Sequence, residues 1–125
     1  MRREIRFRAW DTIQKKMWYD GFDITPQGKI FHTYGIYSNV VGLQLEQYTG
    51  LQDRQGVEIY EGDVVLVPDW QEFGVDAYCA VRWDEDLPGW SIASTDNDST
   101  PLQRAERFGE AGNIHQNPEL VKEAV

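Results

Sequence analysis

Apolar and polar residues alternate along this chain only in short runs, and nearly every run stops at a turn-forming residue. Over residues 4–11, Ile5, Phe7 and Ala9 point one way and Glu4, Arg6, Arg8 and Trp10 the other, the period of a half-buried strand. Residues 15–20 read as its hairpin partner, with Met17 and Tyr19 on one face, Trp18 on the other, and Thr12-Ile13-Gln14 as the link. Gly21, Pro26-Gln27-Gly28 and Gly35 punctuate the next stretch, which leaves room for short strands over 22–24 and 29–32. Residues 43–48 alternate again, with Leu43 and Leu45 expected inward.

The second half repeats this grammar. Asp53-Arg54-Gln55-Gly56 has the composition of a tight turn: Asp bonds back to turn amides and Gly accepts positive φ. Glu61-Gly62-Asp63 is a second turn, and Val64-Val65-Leu66-Val67 is apolar on both faces, as a covered strand is, until Pro68 ends it. Over 77–83, Ala77, Cys79, Val81 and Trp83 share a face expected to be buried. Leu87-Pro88-Gly89 is a turn into a strand from Trp90, and 96–99 is a polar loop. Thr100-Pro101-Leu102-Gln103 carries a helix-start signature, with Leu102, Ala105 and Phe108 on one side and Gly109 as stop. Asn117-Pro118 predicts a terminal helix through Leu120 and Val121. The fold class that follows is mainly β (β-dominated α+β): one domain over 1–125, a small twisted barrel-like sheet assembly with short C-terminal helices.

The charge bounds the partners. Twelve Lys and Arg against 21 Asp and Glu give a net charge of −9, which repels phosphate backbones and favours a basic protein partner over DNA. A cationic cluster, Arg2, Arg3, Arg6 and Arg8, stands at the N-terminus. One cysteine, Cys79, rules out an intrachain disulfide. No apolar run suggests a signal peptide or a membrane span, so the expectation is a cytoplasmic protein with no membrane contact. Trp70 and Trp90 are expected at a subunit contact, because five tryptophans are many for one small core.

Three segments together resemble the YopX family of phage and prophage proteins. They are Arg3-Glu4-Ile5-Arg6-Phe7-Arg8-Ala9-Trp10-Asp11 with Lys15-Lys16-Met17; Gln47-Tyr48-Thr49-Gly50-Leu51 with Asp53, Gly56 and Glu58-Ile59-Tyr60-Glu61-Gly62-Asp63-Val64-Val65; and Gly112-Asn113-Ile114-His115-Gln116-Asn117-Pro118-Glu119-Leu120. Gln116 and Ala111 depart from the pattern, and 25–41 and 69–104 lie outside its motifs. The resemblance implies a β-rich domain working inside a bacterial host, a homo-oligomer, and no enzymatic activity to carry over.

The middle segment is where function is sought first. Tyr48, Thr49, Asp53, Tyr60, Glu61 and Asp63, with Asn113 and His115 near the C-terminus, form a candidate interaction surface. The competing reading is structural: Thr49 and Asp63 hold turn amides while Tyr60 packs its ring. No catalytic residue, cofactor or metal is expected. Cys79 lies on the buried-looking strand face, away from any base that sequence identifies, and with His32 and His115 it is too scattered for zinc. Asp96-Asn97-Asp98 opens like a calcium loop, but Pro101 and Arg107 occupy the positions of the required Gly and Glu. Arg6 and Arg8 beside Trp10 are a weak signature for single-stranded nucleic acid, opposed by Glu4 and by the net charge. The leading reading is a non-enzymatic phage accessory or regulatory protein that binds a host or phage macromolecule as a homo-oligomer. The alternatives are a small-ligand or single-stranded nucleic-acid binding module and, last, an uncharacterised hydrolase.

Overall fold

The structure is a computed structural model that describes residues 4–27, 29–32, 42–70, 74–86, 89–94 and 99–121. Gly28, Gly35, Leu87, Pro88, Asp96–98 and the arginines at 2 and 3 lie outside the described residues, as do the side chains of Phe31, His32 and Ser99. The chain divides into two compact units, Ile5–Gln47 and a larger one of Met1–Glu4 with Tyr48–Val125.

In the smaller unit, β1 (Phe7–Asp11) lies between β2 (Lys16–Trp18) and the first half of β5 (Leu43–Gln52), antiparallel to both. The hairpin forms where the sequence placed it because Asp11 closes it: Oδ1 accepts the amides of Ile13 and Gln14, both at 2.9 Å. A separate hairpin joins β3 (Phe22–Ile24) and β4 (Ile30–His32).

One expectation for this unit is corrected. β1 is covered on both faces, with Arg8, Ala9, Trp10 and Asp11 all buried. Arg8 stands in register with Glu46 on β5, and its Nε donates to Glu46 Oε1 at 2.9 Å, so the charge is neutralised inside. On β5, Glu46 is buried, Leu43 and Leu45 are half-buried, and Gln44 is exposed.

The larger unit contains β6 (Glu58–Tyr60), β7 (Asp63–Val67), β8 (Ala77–Asp84), β9 (Gly89–Ala93), β10 (Ser99–Pro101) and β11 (Gly109–Asn113). An antiparallel sheet runs in the order β10-β9-β8-β7-β11, with β10 and β11 as its edges among the described residues. Val65 pairs with Cys79 and Val81 with Ile92, which puts all four on one face. Trp70, Leu102 and Phe108 close over that face from the connecting segments, and Ile59 joins them from β6. Each such side chain contributes about 1.5–3 kcal/mol by leaving water. β11 carries a bulge between Glu110 and Gly112. Gly112 has φ 151°, and a Cβ there would collide with the Asn117 side chain, so glycine is required.

The β-dominated class therefore holds, but the short helices do not. Thr100 and Pro101 lie in β10, paired with Ile92 and Ser91, and only Ala105–Arg107 forms a single 3-10 turn. Strand pairing and the burial of Leu102 outweigh the capping signature, and Arg104, with φ 58°, breaks helical continuation. The terminal helix is likewise one 3-10 turn, Pro118–Leu120. Trp83, expected inside, is 47% exposed. Trp83 lies three residues past Ala80, where the β7–β8 pairing ends, and is paired with Trp90 of β9. Trp70 is buried in the core rather than free for a subunit contact. Among the described residues no helix is long and apolar enough to cross a membrane.

Candidate functional site

The residues singled out by sequence come together around the β5–β6 and β6–β7 connections and the end of β11, with their polar atoms facing inward. Thr49 Oγ1 donates to the Ile59 carbonyl at 2.7 Å, across the bulge that Gly50 makes in β5. Asp53 Oδ1 accepts the amides of Gln55 and Val57, and its Oδ2 accepts that of Glu110 at 2.9 Å, tying the turn to β11. Burial pushes the Asp53 carboxyl up, but the Glu110, Val57 and Gln55 amides and the Arg54 charge outweigh it, so its pKa lies below the ordinary value. Asp63 Oδ2 accepts the Tyr60 amide at 2.8 Å, and the rings of Tyr48 and Tyr60 pack 5.4 Å apart. Asn113 Oδ1 accepts the amides of His115 and Gln116. Six of the eight are buried; Glu61 and His115 are half-buried. Cys79 is fully buried, and Arg8 and Trp10 are enclosed and so present no face for stacking bases.

A different place has the shape of a binding site. A cleft of about 350 Å³ opens beside the end of β7, floored by Val67, Trp70, Ile92 and Phe108 and edged by Pro68 and Pro101. Its volume is at the lower end of small-ligand pockets. Its rim carries Arg104, Arg107 and, among the described residues, one carboxylate, Asp69. Both arginines are exposed, and among the described residues neither makes an ion pair. They are three apart, and the Arg107 amide donates to the Arg104 carbonyl across the turn. Asp69 Oδ1 is held by the Gly74 amide at 2.6 Å.

Backbone strain gathers at the same place. Among the described residues three non-glycines adopt left-handed backbone: Lys15, Asp69 and Arg104. Two of the three line the cleft. Each costs roughly 1–2 kcal/mol, and such residues concentrate where backbone is shaped for binding. The buried indole N–H of Trp70, in the same wall, has no acceptor among the described residues. Sequence reasoning missed this site because the wall comes from three separated stretches. The one signal was two arginines three apart in an otherwise acidic region.

A second surface feature belongs to the same unit. Trp83 and Trp90, cross-strand partners at the β8–β9 tip, meet edge to face with centroids 5.2 Å apart. Among the described residues, no cluster of three or more His, Cys, Asp or Glu is placed to hold a metal ion.

The chain is similar in structure to protein EF1440 from Enterococcus faecalis, with 25% identity, 95% of this chain and 99% of that one covered, and a TM-score of 0.59. It shares its fold with protein yopX from Bacillus subtilis at 20% identity, with 95% and 97% covered and a TM-score of 0.60. No curated protein matches it. The YopX protein family matches residues 6–122, nearly the whole described chain, and the chain belongs to that family.

Proposed function

We propose that this protein is a non-enzymatic binding module, and that its cleft receives an acidic segment of a protein partner. The observation that carries the reading is the pair Arg104 and Arg107, exposed over an apolar floor and without an ion pair among the described residues, in a chain of net charge −9. Two guanidiniums that pair with no carboxylate among the described residues are available to carboxylates from outside. The floor suits an apolar side chain next to the acid. The overall charge still opposes a polyanion such as DNA, because repulsion accumulates over many phosphates, whereas one or two carboxylates meet only the local rim. A basic partner fits the rest of the acidic surface; the cleft reverses that preference locally. On this reading the module acts in a phage or prophage programme inside the bacterial cytoplasm, on a host or phage protein.

The test is fluorescence polarisation with a labelled hexapeptide carrying one tryptophan followed by two aspartates. The reading requires binding that falls at least tenfold for the asparagine counterpart and for the Arg104→Ala/Arg107→Ala variant. Equal binding of the neutral peptide, or tighter binding of a single-stranded oligonucleotide through the same arginines, would refute it.

A further inference from the structure

We infer that the right-angled corner between Trp83 and Trp90 receives an arginine from a basic segment of a protein partner. Neither tryptophan lines the cleft, so this surface stands or falls apart from it.

Strand register builds the corner. Trp83 on β8 and Trp90 on β9 are partners across the ladder, with ring centroids 5.2 Å apart and planes inclined at 83°. Two indoles at that angle offer a cation a π face on each of two sides, and the ring quadrupole attracts positive charge to those faces. Trp83 is 47% exposed, while the other four tryptophans are buried or half-buried. Among the described residues no cation stands over either ring.

The charge around the corner has the sign that an arginine needs. Asp84, Glu85 and Asp86 follow Trp83 directly; Glu85 and Asp86 are exposed and make no ion pair among the described residues. Three residues span at most about 11 Å of chain, comparable with the screening length at moderate salt, so these carboxylates act on a cation at the ring. Arg82, the cation of β8, points by strand alternation to the opposite face of the sheet from Trp83. Arg104, two residues beyond the Leu102 amide that donates to the Trp90 carbonyl, lines the cleft instead.

The smaller unit holds the same chemistry closed within itself. Lys16 Nζ stands 4.1 Å from the centroid of the Trp18 ring, and Asp11 Oδ2 accepts from Trp18 Nε1 at 3.3 Å. There a tryptophan beside a carboxylate takes its cation from two residues away. Trp83 has the ring and the carboxylates, but residues 83–90 contain no lysine or arginine. A cation from outside completes the arrangement, and the net charge of −9 favours the approach of a basic segment. Arginine suits the corner better than lysine. A guanidinium lies flat on an indole and keeps its N–H edge for carboxylates, whereas an ammonium is a single, strongly hydrated point charge.

The experiment is an NMR titration of the nitrogen-15-labelled full chain with a hexapeptide carrying two arginines, followed at the five tryptophan indole N–H signals. The signals of Trp83 and Trp90, assigned with Trp83→Phe and Trp90→Phe, are expected to move while the other three stay. The dissociation constant is expected to rise about tenfold for Trp83→Ala and for the citrulline counterpart of the peptide, which keeps the shape of arginine without its charge. It is expected to rise about threefold for the lysine counterpart and for Glu85→Gln/Asp86→Asn. Unmoved signals from the three remaining tryptophans in each variant show that its fold is intact. Equal binding of the citrulline peptide, wild-type binding by Trp83→Ala, or shifts confined to other tryptophans would each overturn the inference. Arg104→Ala/Arg107→Ala is expected to leave the titration unchanged, and loss of binding there would overturn it as well. A chain that ignores the arginine peptide but still binds the tryptophan–aspartate peptide removes this corner and leaves the cleft reading standing.

Discussion

Arg8 and the pair Arg104 and Arg107 carry the same guanidinium into opposite settings. Arg8 is 2% exposed, and its Nε bonds to the buried Glu46 carboxylate. Arg104 and Arg107 are exposed over an apolar floor; among the described residues Asp69 is the one carboxylate lining the cleft, and it is held by a loop amide. An acidic chain has far more carboxylates than cations, so pairing is easy to arrange wherever an arginine serves the scaffold. The contrast separates a charge satisfied within the fold from charges that make no ion pair among the described residues.

The largest expected effect tests the first half of that contrast. Arg8→Ala leaves Glu46 buried without its cation, a loss of about 3–5 kcal/mol on the scale of broken buried pairs. Arg107→Ala, from an exposed position, is expected to change stability by no more than about 0.5 kcal/mol. Urea unfolding of the two variants side by side measures both. Equal losses would mean that the cleft arginine also supports the scaffold.

Asp53 sharpens the comparison from the acidic side, since it too is buried and fully engaged, here by backbone amides. Asp53→Asn removes a charged acceptor from three donors and is expected to cost about 2 kcal/mol. The same group sets a pH dependence. Its folded-state pKa is depressed, so its contribution is complete above the ordinary aspartate value of 3.8 and is lost as pH falls below that through the folded value. Stability of the wild type is therefore expected to drop on acidification through that window, and the drop is expected to be smaller in Asp53→Asn. Parallel pH profiles of the two proteins would remove Asp53 from this role.

How far these settings were legible in the sequence follows from how local they are. The Asp53-Arg54-Gln55-Gly56 and Glu61-Gly62-Asp63 turns are written in consecutive residues, because an aspartate reaches amides two to four residues away. The Asp53 bond to Glu110, 57 residues distant, carries no such mark. Alternation put Arg8 and Trp10 on one face of β1 but not what covers that face, since Glu46 arrives from another strand. It put Trp83 in line with Val81 but not where β7 stops pairing. The cleft was hidden for a further reason. Thr100 and Pro101 have the local chemistry of a helix start, and only pairing with β9 makes them an edge strand, leaving Arg104 and Arg107 on a rim instead of a helix face.

The smallest expected effect bears on why Arg104 stands where it does. Its φ of 58° is left-handed, a conformation that costs a side-chain-bearing residue roughly 1–2 kcal/mol. Glycine adopts it freely but loses more backbone entropy on folding, roughly 0.5–1 kcal/mol. Arg104→Gly is therefore expected to raise stability by about 0.5 kcal/mol while lowering affinity for the acidic peptide as Arg104→Ala does. Opposite signs in the two measurements would show that arginine is kept at this position for binding, against the preference of the backbone. A loss of stability in Arg104→Gly, with peptide binding intact, would instead make Arg104 a scaffold residue like Arg8, and the division between the two kinds of arginine would collapse.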